Sequence, residues 1–273
     1  MLDTNDFIAW RNATFTKRGD GRVLRQYEKR LIKRLRTIWK KQEKYLLQAI
    51  KPLFVGEDSY KKNLIDIRID VILEEMPGQE EAARAIVASM KLSMNRGGRS
   101  SVKKLELGQF GIKYSVDNLE AKKFLNRKLS HELSNYRGNI NKTTTDKIRK
   151  IVQKSIDSGK SYAEVSELIM GQGKSGVFSA ARGELIAITE TGRAYGKGAR
   201  IPIDDFRLTN PTRSVLKSWS TVGDDRVRES HLANEGDGEI PYEQFHSGTG
   251  EQFAPSGDMR CRCVEEYNIP PPT

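Results

Sequence analysis

Residues 217–263 read KSWSTVGDDRVRESHLANEGDGEIPYEQFHSGTGEQFAPSGDMRCRC. This stretch holds two of the three histidines and both cysteines of the 273-residue chain, with a basic helix-like run, an acidic Gly-rich turn and a closing Cys-Arg-Cys. Its strand-like pieces are short and its turns frequent. The sequence before it has another texture, with long amphipathic periods and few breaks. The contrast predicts an α+β protein: a mainly helical N-terminal region, then a small α+β C-terminal domain.

Working outward, residues 22–50 form one long amphipathic period. Tyr27, Leu31, Leu35, Ile38, Gln42, Tyr45 and Ala49 step by three or four, and Lys and Arg fill the other faces. Pro52 ends the helix. Residues 60–76 and 79–94 read as two more helices separated by Pro77-Gly78, and a loop is expected from Asn95-Arg96-Gly97-Gly98. Residues 105–116 are ambiguous, since Gly108 and Gly111 break a helix. Asp117 or Asn118 suits the cap of a helix running to about Tyr136. Thr143-Thr144-Thr145 precedes another helix, Ser161 and Glu164 have capping-box spacing, and a last helix covers 179–195. Three regions follow: 1–105, basic and helical; 106–200, helical; and 201–273, acidic and α+β.

Charge divides the chain in the same way. Residues 201–273 carry 7 Lys/Arg against 13 Asp/Glu, whereas 1–200 carry 40 against 23. A basic body suggests a polyanion partner, with sequence-independent DNA contact through Arg25, Lys29, Arg30, Lys33, Arg36, Lys40 and Lys44. The other reading of these residues is a solvated helix face. No apolar run has membrane-spanning length, and no secretory apolar segment follows Met1, so no membrane partner is expected. Two cysteines do not make a disulfide framework.

Four motifs invite chemistry. Gly171-Gln172-Gly173-Lys174-Ser175-Gly176 fits G-x-G-x-x-G, but an amphipathic helix precedes it where a dinucleotide fingerprint needs a strand, so it reads as an interhelical linker. The acidic run Asn234–Glu239 meets no frame of the EF-hand loop and reads as a tight turn. His231, His246, Cys261 and Cys263 have the number and types of a Cys2His2 zinc site, the one cofactor the sequence suggests. C-x-C on a strand would hold the sulfurs roughly 6–7 Å apart, so a shared metal needs a bend there. The alternative is two small buried hydrophobes. Arg228 and His231 share a helical face, which admits a nuclease with His231 as general base and Arg228 as phosphate clamp. A polar network that fixes the local fold is the favoured reading of this pair.

Two blocks resemble a known family. Ser179-Ala180-Ala181-Arg182 followed by Ile186-Ala187-Ile188-Thr189-Glu190-Thr191 is similar to the R-A-x-x-I-A-R-T-E helix of the Mu F-like head morphogenesis, or minor head, proteins of tailed bacteriophages. Ile188 stands where that family usually has Arg. Trp219, Asp224, Arg226, Arg228, His231, Gly236, Phe245, Pro255 and Cys261-Arg262-Cys263 resemble its W…D-x-R-x-R-x-x-H…G…F…P…C-R-C pattern, with Arg260 where the family often has Asn. The resemblance extends over roughly 108–266. It implies a structural virion component rather than an enzyme, assembled in the host cytoplasm. Its implied place is the portal vertex and capsid interior, assisting head assembly and DNA packaging or ejection. The implied partners are the portal protein, with the major capsid or scaffolding protein as further candidates, and DNA bound non-specifically.

Overall fold

The apolar stripe of the first helix is realised in the computed structural model. Helix α1 (Gly21–Ile50) buries Leu24, Leu31, Leu35, Ile38, Trp39, Leu46 and Ile50. Gln42 sits in the same stripe because its amide donates to Pro77 O at 2.9 Å. The remaining helices are α2 (Lys62–Glu74), α3 (Gln79–Lys104), α4 (Leu119–Leu133), α5 (Ile140–Asp157), α6 (Tyr162–Met170), α7 (Ala180–Thr209) and α8 (Glu229–Gly236). Strands β1 (Leu216–Ser220), β2 (Ile240–Pro241) and β3 (Val264–Asn268) form one antiparallel sheet of order β2-β1-β3. The structure describes residues 21–54, 62–134, 140–170, 176–223, 225, 227–255 and 257–271, and in α2 the side chains from Asp66 on. Eight helices and a small C-terminal sheet among these residues make the fold α+β, as the sequence predicts. Among them, no helix is long and apolar enough to cross a membrane.

The caps follow local chemistry. Asn118 Oδ1 accepts the Glu120 amide at 2.8 Å and starts α4. Ser161 and Glu164 form the reciprocal capping box of α6, with Ser161 N to Glu164 Oε2 at 2.8 Å and Glu164 N to Ser161 Oγ at 3.3 Å. These bonds hold the Glu164 carboxyl below its ordinary pKa.

Two expectations are corrected. Asn95-Arg96-Gly97-Gly98 opens no loop, because α3 runs through it to Lys104. Both glycines serve close approach. A Cβ on Gly97 would lie 2.2 Å from Tyr195 O, and one on Gly98 would lie 2.3 Å from the Tyr114 ring. Helix α7 likewise continues past Tyr195 and contains Pro202. Pro202 removes one helical hydrogen bond, to the Gly198 carbonyl, but Ile203 and Phe206 are fully buried and hold the last turns in place. The position where the sequence changes texture, near residue 201, therefore lies inside a helix.

The chain forms two compact units, each assembled from separated stretches. One comprises Arg30–Val87 and Asn126–Ile186. Its core packs Leu46 and Ile50 with Ile69 and Leu73 of α2, Ile148 and Val152 of α5, and Val165 and Ile169 of α6. Each such side chain contributes about 1.5–3 kcal/mol on burial, more than helix propensity supplies. Polar contacts flank this core: Arg149 pairs with Asp70, and the Gln153 amide donates to Asp66 at 2.7 Å.

The other unit comprises Met1–Lys29, Ala88–Leu125 and Ala187–Thr273. Leu107 and Ile112 pack there with Ile203, Phe206, Val215 and Tyr242. Leu107 opens the short 3-10 turn Leu107–Phe110, which Gly111 ends at φ 74°, in the ambiguous stretch of the sequence. A second cluster joins Trp219 to Ala254, Cys261 and Cys263.

Candidate functional site

The site is built on β1, the central strand. Alternation along it turns Lys217 and Trp219 to the buried face. Trp219 meets two imidazoles edge-on, His231 with ring centroids 5.5 Å apart and His246 at 5.1 Å. The two histidines then have separate partners. His246 Nε2 lies 2.9 Å from Glu265 Oε1, and its Nδ1 lies 3.5 Å from Asp237 Oδ2. Glu265 also accepts the Ala254 amide at 2.6 Å. His246 thus ties β3 to the loop after β2.

His231 lies in the first turn of α8. Its Nδ1 faces both sulfurs, at 3.3 Å from Cys263 Sγ and 3.8 Å from Cys261 Sγ. Its Nε2 lies 3.2 Å from Asp258 Oδ2. Arg228 holds the same carboxylate, at 3.4 Å, and donates to Met259 O at 3.1 Å. The ring is 2% exposed and both cysteines 5%. The structure therefore brings together three of the four residues of the sequence-derived metal set, and His246 is engaged elsewhere.

The sulfurs converge because Cys261-Arg262-Cys263 is not strand. Strand β3 starts only at Val264, and Arg260 has φ 60°. Burial and the neighbouring Cys261 thiol push the Cys263 thiol well above its ordinary pKa, the Cys261 contact being the larger cause. Arg262 extends from the same segment to Glu28 of α1, with Nη1 to Oε1 at 3.4 Å and both side chains buried. Thr189 of α7 accepts the Arg260 amide at 3.1 Å through its hydroxyl. The two sequence blocks that carry the family resemblance thus meet at Cys-Arg-Cys. A cavity of about 10 Å³ touches both cysteines, along with Ile188, Thr191 and Gly192 of α7.

Arg260 is a non-glycine residue in the left-handed region, which Asn enters more readily. Arg260→Asn is expected to stabilise the chain by about 0.5–1 kcal/mol, read as a higher urea midpoint with unchanged slope.

Helix α8 is fastened independently of the thiols. Glu235 accepts the Thr221 amide at 2.9 Å and its hydroxyl at 2.6 Å. Asn234 Oδ1 accepts the amides of Gly248 and Thr249, at 2.8 and 2.9 Å. The acidic run is therefore not a simple turn: Asn234–Gly236 are helical, and Asn234, Glu235 and Asp237 are taken up by protein hydrogen bonds. Gly236 ends α8, and Phe245 is exposed. Pro255 follows a cis peptide, and its ring occupies the place a side chain on Gly196 would need. Asp224, Arg226 and Gly171–Ser175 lie outside the described residues.

The basic residues of α1 divide. Lys29, Arg30, Lys33, Arg36, Lys40 and Lys44 are exposed. Arg25 is 8% exposed and lies on the inward face, one turn before Glu28, so it is corrected out of the exposed set. Sequence reasoning missed Asp258 and Glu28, whose partners are 27 and 234 residues away. It also missed Lys217, fully buried, whose ammonium donates to Gln252 O and lies 4.3 Å over the Phe253 ring. Burial lowers its pKa to about 8.

No curated protein and no solved structure matches the chain. Residues 146–266 match the family model described as phage Mu protein F like protein. The matched segment takes in most of α5, all of α6, α7 and α8, β1, β2 and Cys-Arg-Cys, and so contains both blocks that meet in the site. Over residues 146–266, the chain is similar to the phage Mu protein F like family.

Proposed function

We propose that the chain is a structural, non-enzymatic minor head protein of a tailed bacteriophage. It sits at the portal vertex, facing the capsid interior, and assists head assembly and the packaging or ejection of DNA. The family match over 146–266 carries this reading. The interior of the C-terminal site supports it. Both ring nitrogens of His231 are engaged, its ring is 2% exposed, and Arg228 is held by Asp258. A general base needs access to the proton it takes.

The DNA contact rests on α1. Lys29, Lys33, Arg36, Lys40 and Lys44 recur at steps of three and four, so they line one solvated helix face about 22 Å long. Binding should be sequence-independent, with log K falling linearly in log salt. Changing these five residues to Gln should reduce that slope by about 4–5. Salt-independent binding would remove the DNA contact and leave portal docking standing.

Placement is tested by an asymmetric reconstruction of the particle. Density for the chain at the portal vertex is the expected result, and absence of the protein from purified virions would overturn the reading. Plasmid or RNA cleavage that disappears in His231→Ala would favour the nuclease alternative instead.

A further inference from the structure

We propose that His231, Cys261 and Cys263 bind one zinc ion, with Asp258 orienting the histidine from behind. The three ligand atoms lie within 4.8 Å of one another, and among the described residues they form the group suited to a metal. Tetrahedral zinc, with Zn–S about 2.3 Å and Zn–N about 2.0–2.1 Å, separates nitrogen from sulfur by about 3.6 Å. The two observed separations, 3.3 and 3.8 Å, straddle that value.

The hydrogen-bond chemistry argues the same way. A neutral imidazole offers one lone pair at Nδ1, and two thiols approach it. That lone pair serves one thiol proton at a time. A metal serves all three atoms. Asp258 completes the arrangement on the far side of the ring. It accepts from Nε2–H at 3.2 Å, which leaves the Nδ1 lone pair facing the sulfurs, free to ligate a metal. Arg228 in turn fixes Asp258. Metal ligation by His is ordinarily supported by such a carboxylate.

Thiolate and imidazole ligands favour zinc over oxygen-seeking cations. Binding converts two thiols to thiolates and releases both protons to solvent, with no change in oxidation state. The ligands come from α8 and from the segment before β3, and the ion would join them beneath Trp219. His246 stays outside the set because Glu265 and Asp237 hold it.

The test uses the full chain, purified without chelator and assayed by elemental analysis. The expected content is about one zinc per chain, falling below about one tenth in Cys261→Ser/Cys263→Ser and in His231→Gln. Cobalt added to chelator-stripped wild type should give thiolate-to-cobalt charge-transfer absorption, which does not depend on any variant folding. His246→Gln should keep its zinc. The proposal is overturned if wild type stays metal-free after zinc is supplied, or if the double serine variant retains a full equivalent. Loss of zinc from a folded His246→Gln chain, judged by circular dichroism, would overturn the three-residue ligand set.

Discussion

Gly198→Ala is expected to lower the stability of the folded chain by about 3 kcal/mol. The added Cβ would lie 2.1 Å from Met94 O and 2.7 Å from Met94 C. Both are backbone atoms of α3, so no rotamer change relieves the overlap and the two helices must separate. Gly97 faces the same crossing from the α3 side, against Tyr195 O. Helix propensity opposes this loss, since Ala exceeds Gly by about 1 kcal/mol in a helix, but it is the smaller effect. Gly236→Ala is the control. Gly236 is also helical, yet nothing lies within 4 Å of its Cβ position and its φ is not positive. It should gain about 0.5 kcal/mol. Urea unfolding of both variants reads the contrast in sign. A neutral Gly198→Ala would mean that α3 and α7 do not approach this closely.

Arg262→Met should cost about 3 kcal/mol or more, and Glu28→Met a comparable amount. The pair lies at 3.4 Å with side chains 2% and 4% exposed. Either single change leaves a charge in the interior with its partner at that distance removed. The double variant removes both charges and should recover most of the loss, because two Met side chains replace them with apolar volume. A double variant as unstable as the sum of the singles would show that the two side chains do not act as a pair. Arg262 is the middle residue of Cys-Arg-Cys. Anchoring it to α1 holds the segment while the flanking cysteines face the other way, toward His231.

Periodicity made the helical body legible. The Leu31-Leu35-Ile38 stripe, the Pro77-Gly78 break and the Ser161/Glu164 box each act within a few residues, so their physics is written locally. The misreadings have a common cause. Gly97-Gly98 and Pro202 are breakers by propensity, and tertiary packing overrides them here. The glycines allow backbone approach that any side chain would block, and Pro202 is held by buried neighbours. Arg25 looked like its fellow cations because composition does not distinguish the inward edge of a helix from its outer face.

The candidate site was legible as residue types and hidden as geometry. Trp219, His231, Cys261 and Cys263 were visible in order along the chain, and two histidines with two cysteines suggested a four-ligand set. Only the fold separates them. It turns His246 to Glu265, brings Asp258 behind His231, and bends the chain at Arg260 so that both sulfurs face one nitrogen. The sequence by itself determined the helical body, the acidic α+β end and the family blocks, because short-range spacing and turn chemistry carry that information. Tertiary structure decided which charges are buried, which glycines are indispensable and which three side chains converge. Those outcomes depend on partners up to 234 residues apart, and no local pattern encodes such distances.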